Sequence, residues 1–380
     1  MRGFTALSLL LLSVPAGAAG KISVVGAGGA WLHPELGGHG IGLVAYERPD
    51  TGRRGAVLTV ELNTDTLRLR LDGLRPTPGL EAGAQLAGEA LYAGLLPDYY
   101  REGRRDPARG FWASYVEGSG WLKQIQGQHV LELRIALRGW FFNRGDLLGV
   151  ETAPALELPP TTAALEPRLS YTYWRLGGDI DQRHRLFPRV RGLALGLEVG
   201  LEARSDTRAW GARDPAVFDP PDPRNDPLPV AFVARQWLRA GLPLAPRLRT
   251  QLTQHALFGS GLDDLNRARV GGMNPYVVPL AGAPWAAFLA GRLLAAEWSL
   301  HVKVHGEQEV GLLADVAWID DADRTGRSGD GVHGGLGLFA DLRLGAYQID
   351  VRAGWSPTLR AISSAGSFGL FLALGYGDGL

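Results

Sequence analysis

The sequence predicts an all-β protein, a closed antiparallel transmembrane β-barrel of about sixteen strands. Three observations carry that expectation. Apolar residues recur at every second position from one end of the chain to the other, whereas helical periodicity is almost missing. The alternating runs are about nine to twelve residues long, the length a tilted strand needs to cross a bilayer. Their connections alternate between short and long, as in barrels with tight turns on one side of a membrane and loops on the other.

The first element is MRGFTALSLLLLSVPAGAAGK. Arg2 gives a positive start, Phe4 to Val14 an apolar run, and Ala16-Gly17-Ala18 a small-residue cleavage pattern. The run is too short for a spanning helix, which needs about 20 residues. Residues 1–19 are therefore expected to be a secretory signal peptide and 20–380 the barrel. The chain has no cysteine, so disulfides and thiolate metal sites are excluded. Lysine plus arginine equals aspartate plus glutamate at 39 each, which gives nucleic acid no electrostatic footing.

Strands are expected at 21–31, 39–48, 55–63, 65–74, 79–93, 111–124, 128–142 and 166–178. They continue at 190–204, 230–242, 245–257, 291–305, 310–319, 332–344, 347–355 and 367–376. Within 193–202, leucines and Val199 take one face while Ala194, Gly196, Glu198, Gly200 and Glu202 take the other. Within 297–305, Trp298, Leu300, Val302 and Val304 oppose Glu297, Ser299, His301, Lys303 and His305. A face mixing glycine with charges of both signs suits a hydrated lumen, and an apolar face suits lipid. Aromatic residues such as Trp140, Tyr173, Trp298, Trp355 and Tyr376 stand near strand ends, as in interfacial girdles. Lipid would also force the sheet to close, because an open edge leaves backbone groups unpaired.

Short connections are RPTP, QGQ, PLAPR, GEQ and GA; long ones are 94–110, 143–165, 205–229, 258–290, 320–331 and 356–366. The long loops are expected outside the cell and the termini in the periplasm. The stretch 179–189 is longer than this scheme wants, and the 63–65 boundary is very tight.

Catalytic and metal-binding constellations are weak. His301 and His305 share a strand face but stand about 13 Å apart, too far for one metal ion. His255, Ser260 and Asp263, or His333 with Ser328 and Asp330, could be read as hydrolase triads, yet any barrel with polar loops offers such sets. Asp206, Asp214, Asp219, Asp222 and Asp226 in a proline-rich loop match no calcium-loop spacing. Neither catalysis, a metal nor a cofactor is expected. The basic stretches RLRLDGLRP and REGRRDPAR suit anionic lipid head groups at barrel rims, so outer-membrane lipid and lipopolysaccharide are the expected surroundings.

The stretch RVGGMNPYVVPLAGAPWAAF, Arg269 to Phe288, is rich in glycine and proline, apolar, and without charge after Arg269. It lies in the eleventh-to-twelfth connection, with five expected strands after it. That placement resembles the barrels of the outer-membrane assembly and two-partner-secretion superfamily, also called the bacterial surface antigen family. The resemblance implies a long sixth external loop that folds back into the lumen. There a [Val/Ile]-Arg-Gly-[Tyr/Phe] tip pairs with the acid of a Phe-x-Asp-x-Gly motif on the thirteenth strand. Leu280-Ala281-Gly282-Ala283 stands where the tip would lie, and Leu313-Ala314-Asp315-Val316-Ala317 where the strand motif would. Gly282 and Asp315 are kept; Ala281 and Ala283 replace the arginine and the aromatic, and Ala317 replaces the strand glycine.

Without that arginine the ion pair to Asp315 cannot form, so the inward-facing Lys303 or Arg343 is the expected substitute. Asp341 is a further expected lumenal charge. LLPDYYREGRRDP resembles the third-loop region of related barrels. At the end of the chain, Ser367, Gly369, Leu372 and Leu374, followed by Tyr376, fit the signal read by the barrel-insertion machinery, although the chain runs on to Leu380. A first strand beginning beside the cleavage site implies a member without periplasmic POTRA repeats.

The sequence therefore supports a non-enzymatic channel, export or assembly-accessory barrel with an occupied lumen. A passive porin or small-solute transporter is the alternative. The first reading expects the 258–290 loop inside the barrel and a weak seam between the first and last strands. The second expects an open lumen, an inward-folded loop earlier in the chain and a fully paired seam.

Overall fold

The computed structural model describes residues 21–31, 38–49, 55–63, 66–89, 100–101, 104–105, 107–145, 151–176, 191–218, 227–273, 278–283, 288–306, 308–320, 331–345, 347–359 and 366–377. The expected signal peptide, Asp219, Asp222, Asp226, Ser328 and Asp330 lie outside them, as does most of 95–107.

The barrel strands are β1 (Lys21–Trp31), β2 (Gly38–Pro49), β3 (Val57–Asn63), β4 (Thr66–Thr77), β5 (Leu80–Glu89), β6 (Trp112–Gln126), β7 (His129–Asn143) and β8 (Thr162–Leu176). They continue as β9 (Gly192–Arg204), β10 (Val230–Ala245), β11 (Leu248–Ser260), β12 (Arg292–His305), β13 (Gln308–Asp320), β14 (Gly331–Leu344), β15 (Tyr347–Ser356) and β16 (Ser367–Gly377). Each pairs antiparallel with its chain neighbours, and β1 pairs with β16 to close the ring. That seam is continuous in register from Ser23↔Gly377 to Trp31↔Gly369, so the weak seam expected from the resemblance is not what the backbone forms.

Boundaries of β4, β5, β8, β10 and β11 depart from the sequence expectation by three or four residues, and β11 as a whole lies three residues further along, at Leu248–Ser260 instead of 245–257. β8 begins at Thr162 rather than 166, because its first residues at the long-loop mouth, Thr162, Ala163 and Ala164, are small and carry no apolar alternation. β4 runs on to Thr77 through a break in register between Leu71 and Leu74, where the alternation by which a strand is recognised is lost.

The short connections fall near their expected places, although Arg75–Thr77 and Pro243–Ala245 belong to strands rather than turns. Gly127, at the turn between β6 and β7, takes φ +60, a conformation that costs glycine nothing.

Period-two alternation sets two faces. Outward residues include Leu86 (62% exposed), Leu137 (60%), Leu242 (60%) and Leu338 (58%). Inward residues include buried Glu117, Glu166, Asp315 and Asp350. A fold that shows leucine outside and carboxylates inside is inverted relative to a water-soluble sandwich, and only an apolar surround makes that favourable.

The apolar packing inside the ring lies toward the long-loop mouth, in two clusters. One joins Val270, Leu280, Ala283 and Phe288 of the 261–291 connection to Leu257, Leu293, Ala295, Ala317 and Ile319 of the wall. The other joins Phe111, Ala113 and Trp140 to Leu156, Trp210, Phe218 and Leu265 from three connections.

Candidate functional site: a loop seated against the inner wall

The 261–291 connection is built as a folded insert. Ala268–Val270 pairs antiparallel with Phe288–Ala290. Backbone bonds from Gly271 N to Val278 O and from Leu280 N to Gly272 O fold the middle back on itself. Its absence of charge after Arg269 is what permits this: Leu280, Ala281 and Ala283 are all 0% exposed, and a charged side chain there would lose its hydration. Arg269 itself is pushed down to about 10 by burial, opposed by the charges of Asp264 and Glu89.

The tip reaches the residue that the strand motif marked. The Ala281 N–H donates to Asp315 Oδ2 at 2.7 Å, and Asp315 is 7% exposed. Three glycines make the approach possible. A Cβ on Gly335 of β14 would meet Ala281 O at 2.4 Å and Asp315 Oδ1 at 2.5 Å. One on Gly354 of β15 would meet Gly282 N at 2.7 Å. Gly282, at φ +76, leaves no room for a side chain of its own: its Cβ would meet Ser356 N at 2.4 Å and Ser367 O at 2.7 Å. The tip therefore lies in a slot formed by β13, β14, β15 and the first residue of β16.

Lys303 and Arg343 do not serve as the counter-ions of Asp315. Asp315 stands opposite Glu297 on β12 and Gly335 on β14. Lys303, opposite Glu309, lies six positions along the strand from Glu297, roughly 20 Å away. Arg343, opposite Gln348, lies eight positions from Gly335, roughly 26 Å away. Both face inward as alternation required, but at the short-turn mouth. Asp341 pairs in register with Glu309 and Asp350, which places a row of three carboxylates at that same level.

A second connection point lies at the long-loop mouth. Arg204, the last residue of β9, donates to Asp263 Oδ2 at 2.6 Å and to Oδ1 at 3.0 Å. Trp210 Nε1 donates to Asp263 Oδ2 at 3.1 Å, and the Leu265 N–H donates to Oδ1 at 3.1 Å. Asp263 is 0% exposed. One carboxylate thus ties the end of β9, the 205–229 connection and the 261–291 connection together. The sequence offered Asp263 only as a triad member, and the one signal of its actual role was Trp210, an indole amid a polar loop.

Neither triad reading assembles. His255 faces inward beside Leu257, whereas Ser260, five positions on, lies on the outward face with Phe258. His333 is buried against Phe288, and its proposed partners are outside the described residues. His301 bonds to Arg249, Ser299 and Glu309, while His305 is exposed. Asp206 bonds to Arg208, which holds its carboxyl below the usual range, and Asp214 accepts from the Ala216 N–H. Among the described residues no cluster of metal-ligating side chains occurs.

The wall opposite the insert carries a ladder of ion pairs across adjacent strands. Arg134 pairs with Glu117 at 2.8 Å, and Arg138 bridges Glu117 to Glu166, lying 3.0 Å from the latter. Arg168 pairs with Glu166 at 2.7 Å, and Glu198 meets Arg168 at 3.5 Å and Arg235 at 3.2 Å. Glu166 is 1% exposed, so a neutral substitute leaves two guanidinium groups short of charge. Glu166→Gln is expected to cost about 1–3 kcal/mol, read as a lower urea midpoint for unfolding from vesicles. An unchanged midpoint would show the ladder to be solvated rather than structural.

Of the terminal-strand residues, Ser367 faces inward at 2% exposure, and Gly369 shares its face. Leu372 (47%), Leu374 (53%) and Tyr376 (44%) face outward.

These features define a class: a closed barrel with an apolar exterior and a long connection folded into its interior. No family model matches the sequence, and no curated protein matches it. Among solved structures, the chain is similar to BamA from Haemophilus ducreyi lacking POTRA domains 1-3, at TM-score 0.62 and 10% identity, over 94% of this chain and 70% of that one. It is also similar to CdiB from Acinetobacter baumannii, at TM-score 0.57 and 10% identity, over 94% of this chain and 60% of that one. CdiB from Escherichia coli gives TM-score 0.57 and 11% identity, over 93% and 62%. The chain thus spans about three fifths of either CdiB. The resemblance to the assembly and two-partner-secretion barrels holds at the level of the fold.

Proposed function

We propose that this chain is an integral outer-membrane barrel of a Gram-negative bacterium, exported by its signal peptide, whose lumen is stoppered by the 261–291 connection. It is a channel, export or assembly-accessory barrel rather than an enzyme, with its long loops outside and its short turns in the periplasm. Lipopolysaccharide and phospholipid surround it, and the insertion machinery reads Gly369, Leu372, Leu374 and Tyr376 on its last strand. The observation that carries the reading is the Ala281 N–H bond to Asp315 within a slot of glycines. An uncharged tip held by one hydrogen bond from a backbone N–H to a buried carboxyl is a latch that can be released without separating an ion pair.

The test is single-channel conductance of the refolded mature chain in planar bilayers, with and without residues 265–287. The expected result is a nearly closed intact protein and a steadily conducting deletion. Equal conductance would place the loop outside the lumen. Failure of both forms to enter a bilayer would sink the barrel reading itself.

The alternative, a passive porin or small-solute transporter, is favoured by the continuous β1–β16 seam. In that reading the ion-pair ladder sets the selectivity of a conducting intact protein.

A further inference from the structure

Among the described residues, the central outward positions of β10 to β13 are leucine, valine, alanine, phenylalanine or tryptophan, with three exceptions, Gln236, Gln254 and Thr250. Gln236 on β10 shares its face with Phe232 and Leu242, and Gln254 on β11 shares its face with Leu252 and Phe258. The register pairs Gln236 with Ala256 and Leu238 with Gln254, so the two carboxamides are diagonal neighbours. Among the described residues neither has a side-chain hydrogen bond. The contrast is Thr250, which also faces outward but donates its hydroxyl to the Ser299 carbonyl at 3.1 Å.

A carboxamide in hydrocarbon without a partner is costly, because nothing in a lipid tail can accept or donate. In a strand tilted by about 40°, both glutamines lie near the middle of the hydrocarbon layer. Gln254 stands six positions from either end of Leu248–Ser260, roughly 20 Å along the strand. What covers these groups must therefore bring polar atoms to the middle of the bilayer.

We propose that the β10–β11 face is an interface with a second copy of this chain, centred on Gln236 and Gln254. A carboxamide is both donor and acceptor, so it is complementary to itself and selects no charge in a partner. A two-fold axis along the membrane normal keeps every residue at its own depth, so each glutamine meets a glutamine across the axis. Ala256 and Ala296, beside the two amides in register, let the facing sheets approach closely. The inference rests on the membrane-embedded barrel and is indifferent to whether its lumen is stoppered.

The natural chain has no cysteine, so single cysteines report proximity cleanly. Gln254→Cys and, as reference, Leu133→Cys at an outward position 47% exposed on β7 are refolded into phospholipid vesicles at low protein density and oxidised. The expected result is a disulfide-linked band of twice the chain's mass for Gln254→Cys, several-fold stronger than for Leu133→Cys. In parallel, single-molecule photobleaching of the cysteine-free chain should count two copies per spot. Gln236→Leu with Gln254→Leu should weaken the association by about tenfold without changing the heat-dependent gel shift that reports a folded barrel. Equal crosslinking at both positions, or single copies for the natural chain, overturns the dimer while leaving the barrel intact. A crosslinked product of another mass in native outer membranes overturns it in favour of a different partner. A chain that shows no gel shift and enters no vesicle has failed at the barrel, which is a separate result.

Discussion

Asp263→Ala is expected to unfasten the long-loop mouth at a cost of about 3–5 kcal/mol, the usual penalty for removing one partner of a buried ion pair. The substitution takes away four acceptor contacts at once, from both Arg204 nitrogens, the Trp210 indole and the Leu265 amide. Arg204 keeps Glu202, but its side chain is 5% exposed and sits where water cannot replace what was lost. The loss should be local, because the barrel's backbone ladder does not pass through Asp263. Hydrogen exchange should therefore quicken at 205–213 and 262–270 and stay slow in β6 to β8. Arg204→Ala with Asp263→Ala should cost less than the sum of the single substitutions, since the Arg204–Asp263 interaction is lost in each single and would be counted twice. Uniform quickening throughout the barrel would mean that the carboxylate supports the wall and not the loops.

The barrel was legible in the sequence because its determinant is one-dimensional. A period of two, strand length and alternating loop length are local properties, and they place β9, β11, β12 and β15 within a few residues of their positions. Where local alternation weakens, at Thr162–Ala164 and across the break between Leu71 and Leu74, the strand bounds were missed. The site was half legible. Asp315 stands on the thirteenth strand and accepts from the Ala281 N–H of the loop tip. What the sequence could not give was the partner, a backbone N–H rather than a lysine or arginine. Alternation correctly turned Lys303 and Arg343 inward, but it carries no information about depth along the barrel axis. Gly335 and Gly354 read simply as small inward residues; that they vacate space for one particular peptide becomes visible only when the loop is in place. The Arg204–Asp263 pair joins residues 59 apart in the chain, beyond any pattern a local reading can detect.

The glycine slot yields the sharpest test of how the tip is held. Gly282→Val is expected to expel it. A β-branched side chain at φ +76 is strained whatever its surroundings, by about 1–2 kcal/mol. Its Cβ would also fall 2.4 Å from Ser356 N and 2.6 Å from the Trp355 carbonyl carbon, and overpacking of that kind adds about 1–3 kcal/mol. Together these shift the ratio of seated to released tip by about a hundredfold. The barrel should still fold, since the clash is between an insert and a wall that can exist without it, and conductance should rise toward that of the 265–287 deletion. Gly335→Val attacks the same contact from the other side, because its Cβ would meet Ala281 O at 2.4 Å. Gly88→Val on β5, where the nearest atom is 3.8 Å away, should leave conductance unchanged. If Gly282→Val and Gly335→Val conduct no more than Gly88→Val while the deletion conducts freely, the tip is not the latch. The closure would then reside in the apolar packing of Val270, Leu280 and Phe288 against Leu293 and Ile319, which neither substitution disturbs.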